Sequence, residues 1–168
     1  PLYSSAASDV YKRQTIYSLG AESKKAMDHA RQTIADSLGA KPEEIYFTAG
    51  GSESDNWALK ATAEAYASKG KHIITTKIEH HAILHTCEYL EKRGFEITYL
   101  NVDRDGLISL DELKAAIRPD TILISVMFAN NEIGTIEPIA EIGEIAKEHG
   151  VLFHTDAVQA LSLIHISE

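Results

Sequence analysis

Apolar positions along the chain follow two rhythms that take turns. From about Ala21 to Leu38, Met27, Ala30, Ile34 and Leu38 recur on one helical face, and Gly39 marks the stop. Ile45–Thr48 reads as a short strand. It enters a small-residue turn, and a helix-forming run from Trp57 to Ala67 leaves that turn. His72–Thr76 predicts a strand, Ala82–Lys92 a helix ended by Gly94, and Phe95–Val102 a strand before a turn at Asp103–Gly106. Leu110–Ile117 predicts a helix. Thr121–Ala129 is almost wholly apolar, as suits a strand covered on both faces. Pro138 opens a helix with Ile139, Ile142 and Ala146 inward and Gly150 at its end, and Val151–Thr155 predicts the last strand. Strands alternating with helices imply an α/β fold: a mostly parallel sheet flanked by helices, joined by right-handed crossovers. Ligands in such sheets sit beyond the carboxyl ends of the strands. The polar clusters Ser52–Asn56, Glu79-His80-His81, Asn130-Asn131-Glu132 and Asp156 fall there.

Composition narrows the classes. A single cysteine rules out a disulfide framework, and no run is apolar enough to span a membrane. A net charge of −9 argues against nucleic acid as a partner. No secretory signal is visible, because the Ser/Ala-rich start lacks an apolar core, so a cytoplasmic setting is expected. Both ends look foreign. Asp9-Val10-Tyr11-Lys12-Arg13-Gln14 can be written in codons whose reverse complement reads Leu-Ser-Leu-Ile-His-Ile, which is Leu161 to Ile166. The two ends can thus be the two strands of one inverted repeat. That repeat resembles the transposase adapter used to prepare sequencing libraries. Residues 1–14 and 161–168 are therefore expected to be non-native tails, leaving Thr15–Ala160, about one domain.

Candidate chemistry begins at Gly50-Gly51-Ser52. Glycines and a serine at a helix entrance gather free backbone N–H groups, a hydroxyl and the positive helix end, which makes a seat for a phosphate or another dianion. No Gly-Lys-Ser/Thr follows, so it is no nucleotide P-loop, and a plain Gly-Gly turn is the competing reading. Each other cluster has an ordinary reading as well. Glu79-His80-His81 could be a polar helix start or suggest metal, although no Cys/His partners stand at zinc-like spacing. Asn130-Asn131 could be turn residues, and Asp156 a helix cap. Together, a phosphate seat, a ring-sized histidine, an amide and a carboxylate at successive strand ends suit a phosphorylated pyridine. A rival lies at Asn101–Glu112, whose spacing matches a calcium-binding EF-hand loop.

Phe47–Leu59, Ile78–Leu84, Asn130–Thr135 and His154–Gln159 resemble four motifs of the NifS-like cysteine desulfurases, which are pyridoxal-phosphate enzymes of the class V aminotransferase group. The resemblance implies a partial large domain of the aspartate-aminotransferase type, fold type I. It implies pyridoxal 5'-phosphate as cofactor, with Gly51 and Ser52 at its phosphate and His80 stacked on the ring as a catalytic proton shuttle. Asn131 and Gln159 would bond the ring hydroxyl, and Asp156 would face the pyridine nitrogen. No metal is implied. The substrate implied is L-cysteine, converted to alanine while sulfur passes to an enzyme cysteine as a persulfide. A sulfur-acceptor or scaffold protein and a homodimer are implied for the whole enzyme, serving iron–sulfur cluster or other sulfur biosynthesis. Another class V aminotransferase or a selenocysteine-lyase-like enzyme is the alternative.

The chain departs from that family pattern after Gln159. The Ser-x-His-Lys segment bearing the Schiff-base lysine, the mobile-loop cysteine and the substrate-binding arginine have no counterpart here. Cys87 reads as a packed helical thiol rather than the nucleophile. The expectation is a truncated reading frame, inactive by itself, with the strand after Glu44 poorly placed.

Overall fold

The computed structural model describes residues 18–161, in two compact units divided after Phe47. The adapter-like ends lie outside the described residues, except Leu161, the last residue of a short helix.

The first unit holds helix α1 (Ser18–Leu38), closed by Gly39 at φ +64°, and a 3-10 turn at Pro42–Glu44. The expected strand at Ile45–Thr48 does not form; the segment joins no ladder. Its polar backbone is engaged locally instead. Arg31 donates to the Ile45 carbonyl, and the Ile45 N–H donates to the Pro42 carbonyl. A β-prone composition becomes a strand only beside a partner edge. Without one, Tyr46 and Phe47 remain 65% and 45% exposed, with the Arg31 guanidinium over the Phe47 ring.

The second unit runs α2 (Gly51–Tyr66), β1 (His72–Thr76), α3 (His81–Glu91), β2 (Glu96–Leu100), α4 (Leu110–Ala116), β3 (Thr121–Ser125), α5 (Ile139–Glu148), β4 (Leu152–His154) and α6 (Val158–Leu161). The four strands form one sheet in the order β2-β1-β3-β4, every pair parallel. Successive residues point to opposite faces. Ile73 packs with Leu59, Ala63, Ile83, Cys87 and Leu90 beneath α2 and α3, whereas Ile74 packs with Leu113, Ile142, Ile145 and Ala146 beneath α4 and α5. Each such Leu or Ile contributes about 2 kcal/mol by leaving water. All five residues of β1 and of β3 are buried, as the apolar run of β3 implied.

At the amino-terminal end of β1 one polar side chain pins three strands. His72 is fully buried; its Nδ1 lies 2.7 Å from the Thr121 hydroxyl of β3 and its Nε2 2.8 Å from the Thr98 hydroxyl of β2. The β1–β3 register shifts next to it, between His72 and Ile73.

Two further expectations change. Helix α2 begins at Gly51, six residues before Trp57. The Gly50 carbonyl accepts from the Glu53 and Ser54 N–H groups, and the Thr48 and Ser54 hydroxyls bond at 2.7 Å, so the polar run is wound into the first turn. No EF-hand forms at Asn101–Glu112, because the segment before it is strand β2 rather than a helix. The loop's own donors occupy its oxygens: Asp103 Oδ1 accepts from the N–H groups of Asp105 and Leu107, and Asn101 Nδ2 donates to Glu112 Oε1.

Candidate active site

At the carboxyl ends of the strands lies a hollow of about 230 Å³, lined by Gly51, Ser52, Asp55, His80, Met127, Ala129, Asn131, Asp156, Val158 and Gln159. All six residues singled out from the sequence, Gly51, Ser52, His80, Asn131, Asp156 and Gln159, border it. A larger hollow of about 550 Å³, lined by Tyr66, Lys69, Arg118, Pro119 and His149 among others, sits at the opposite ends of the strands. The chemically diverse side chains converge on the smaller one.

The floor of the small hollow is the start of α2. Its cap residue, Gly50, has no side chain with which to satisfy the first turn. The N–H groups of Gly51 and Ser52 are among those a helix cannot bond internally, and they sit at its positive end. Gly51 must also be small: a Cβ there would lie 2.9 Å from Val158 Cγ2 of α6.

His80 is the cap of α3. Its Nδ1 accepts from the Ala82 N–H at 3.1 Å, and that bond assigns the ring proton to Nε2. The asparagine pair divides its labour. Asn130 is a buried turn residue, donating to the Ile78 carbonyl while its Oδ1 accepts from the N–H groups of Glu132 and Ile133. Asn131 is exposed to the hollow. Asp156 combines both of its readings: Oδ1 accepts from the Val158 N–H at 3.0 Å, capping α6, and the carboxylate borders the hollow.

Three further titratable groups belong to clusters or motifs noted in the sequence but were given no role of their own there. Asp55, one turn beyond Gly51 on α2, is 4% exposed, and burial together with the nearby Asp156 pushes its carboxyl up to about 6. His154 Nε2 lies 3.8 Å from Asp55 Oδ1, and His154 Nδ1 is 2.9 Å from the Ser125 hydroxyl. Burial lowers the His154 imidazole, so both shifts favour a neutral pair over an ion pair. Glu79 is 4% exposed and is pushed up to about 7 by burial, with Asp156 and Asp55 adding to the rise and hydrogen bonds from Met127 and Thr76 opposing it. Helical spacing from Gly51 marks Asp55 as site-facing once α2 is known to start there. Nothing local marks the shifted acidity of Glu79 or His154, which comes from burial.

Residues 2–167 match the family model for class-V aminotransferases, a match that runs into both ends set apart by the codon reading. The chain belongs to the class-V aminotransferases. Its relatives in this family include cysteine desulfurase IscS of Methanosarcina thermophila, 64% identical over 152 residues, covering 90% of this chain and 38% of that protein. The cysteine desulfurase IscS of Clostridium botulinum (strain Kyoto / Type A2) is 59% identical with the same coverage. Among solved class-V structures, a NifS-like protein superposes with a TM-score of 0.83 at 42% identity, over 88% of this chain and 41% of its own. The structure titled SspA in complex with cysteine gives a TM-score of 0.83 at 45% identity, over 88% and 43%. The chain thus spans about 38% of the length of its curated relatives. The family is pyridoxal-phosphate-dependent, and the parallel sheet with flanking helices superposes on about two-fifths of the NifS-like structure.

Proposed function

We propose that these residues form the coenzyme-binding part of a cysteine desulfurase, with pyridoxal 5'-phosphate held in the small hollow. The supporting observation is the convergence of Gly51, Ser52, His80, Asn131, Asp156 and Gln159 on one cavity at the carboxyl ends of a parallel sheet. The residues fit that group. An uncapped helix start suits a phosphate dianion, and the clearance beside Gly51 would be lost to a Cβ. The Asp156 carboxyl bordering the hollow suits a ring carrying a protonated nitrogen.

Bound there, the coenzyme supplies an electron sink for carbanion chemistry. The chain's own residues set the conditions for it. Gly51 and Ser52 anchor the phosphate. Asp156 would face the pyridine nitrogen and favour its protonated form. Asn131 and Gln159 orient the ring through its hydroxyl. His80 covers the ring and holds a proton at Nε2, while its other nitrogen is committed to the helix cap. L-Cysteine is the substrate we infer, with alanine and an enzyme persulfide as products. A sulfur-acceptor or scaffold protein, a homodimer and a role in iron–sulfur cluster or other sulfur biosynthesis in the cytoplasm complete the reading.

The 168 residues alone contain no match to the family's lysine segment or loop cysteine, so they hold the coenzyme by noncovalent contacts and do not turn over cysteine. The test is a titration of the chain with pyridoxal phosphate followed by absorbance. Saturable binding is expected, weakened about tenfold by Asp156→Asn through loss of a charge-assisted bond. No saturation, or equal affinity in the variant, would overturn the site. Alanine release from L-cysteine by the 168 residues would overturn their inactivity.

A further inference from the structure

Glu79 sits immediately before His80 and is almost wholly buried, yet no step assigned above uses it. Its Oε1 accepts two hydrogen bonds. One comes from the Thr76 hydroxyl at the tip of β1, at 2.9 Å; the other comes from the Met127 N–H just past β3, also at 2.9 Å. Its Oε2 is buried without a hydrogen-bond partner. Beside it, the Asn130 side chain donates to the Ile78 carbonyl at 2.9 Å, a second tie between the same two segments.

These ties join the two loops that carry His80 and Asn131. Beyond their tips β1 and β3 share no further ladder pairing with each other: the Lys77 N–H donates to the Leu100 carbonyl of β2 and the Phe128 N–H to the Asp156 carbonyl beyond β4. The Met127 N–H needs another partner, and a single carboxyl oxygen provides it across a separation of 48 residues.

We propose that Glu79 is a positioning residue: it clamps the β1 and β3 tips together and so fixes the spacing between His80 and Asn131 across the hollow. What the clamp requires is an acceptor at Oε1, not a negative charge. The groups around it support this. Lys77, His80 and His81 stand close along the chain, but the charges that act on Glu79 are those of Asp55 of α2 and Asp156 beyond β4, and Cys87 of α3 is raised by it in turn; no cation pairs with it. A carboxylate without a counter-ion gains nothing from its charge at that place. A glutamine would present the same acceptor, whereas a methionine of similar length would present none.

The site at which this spacing matters is the one proposed above, so the test separates the two ideas. Amide hydrogen exchange is followed by NMR on the 168-residue chain and on its Glu79→Gln and Glu79→Met variants, without ligand. In Glu79→Met the Met127 amide is expected to exchange about tenfold faster. The His80 ring resonances are expected to shift, and Glu79→Gln is expected to restore both. Coenzyme affinity is then expected to fall about tenfold in Glu79→Met and to recover in Glu79→Gln. Unchanged Met127 exchange in Glu79→Met, or no rescue by Glu79→Gln, overturns the clamp. If the wild-type chain takes up no coenzyme while exchange follows the predicted order, the clamp stands and the coenzyme site falls. Should Glu79→Met not fold, Thr76→Val, which removes one of the two donors, is expected to accelerate Met127 exchange in the same direction; no change there overturns the proposal.

Discussion

Gly51 is constrained by a neighbour's methyl group as much as by any ligand. Placing a Cβ 2.9 Å from Val158 Cγ2 requires the half-exposed valine side chain or its helix to shift, and Gly51→Ala is expected to cost about 1 kcal/mol in a urea titration. Val158→Ala should recover most of that loss in the double variant, because it removes the opposing atom. Cys87 is fully buried, and burial, with help from Glu79, pushes its thiol up to about 12. It should therefore resist alkylation in the native chain and react only once denaturant opens α3. The raised carboxyls set a pH dependence. Glu79 and Asp55 hold protons in the folded chain that they release when unfolded, so their contribution is complete below the ordinary carboxylate range. It is lost as pH rises through about 6 for Asp55 and about 7 for Glu79. His154 and His72, both with imidazoles lowered chiefly by burial, act in the opposite sense, losing stability as pH falls through the ordinary imidazole range. Near neutrality these opposing slopes overlap, so the Glu79 share is read by difference: between pH 6.5 and 8 the urea midpoint of the wild-type chain should fall with pH relative to that of Glu79→Gln. The residues with recognisable chemistry at strand ends, such as His80 and Asp156, could be read from the sequence. Asp55, Glu79 and His154 stand in polar clusters or motifs of the sequence, but their shifted acidities could not be read there, because they come from burial by neighbours distant along the chain.

Helices and buried strands were legible wherever one residue pattern determined one environment. His72–Thr76 coincides with β1, and the helix stops at Gly39, Gly94 and Gly150 all adopt positive φ. Legibility failed where a partner had to be supplied. Ile45–Thr48 has strand composition but no adjacent edge, and Ser52–Asn56 looks like a turn until Gly50 and Thr48 wind it into α2. Thr121–Ala129 is apolar throughout but β3 ends at Ser125, since Val126 and Phe128 donate to the carbonyls of His154 and Asp156 and continue only that one pairing. Element ends can be tested one by one. The Ser109 hydroxyl accepts from the Glu112 N–H at the start of α4, and Ser109→Ala should cost about 1 kcal/mol in the same urea titration.

At the scale of the molecule, a parallel sheet puts the chemistry at one end and leaves the other to structure. The loop at Asn101–Glu112 belongs to the structural part, its oxygens occupied by its own N–H groups and by Lys77. Calorimetry with millimolar calcium should therefore give no saturable heat. The two central strands pose a different problem. A slide of two residues would keep the same faces of β1 and β3 turned to the same helices, so burial alone separates such alignments less sharply than a one-residue slip. The imidazole of His72 does separate them: it can meet the hydroxyls of Thr98 and Thr121 together in only one arrangement. A leucine in its place could leave the fold as robust and yet let the strands settle in more than one alignment. The strand tips at the far end would then arrive out of step, so the spacing across the candidate site is set some five residues away by a buried ring that does not line the hollow.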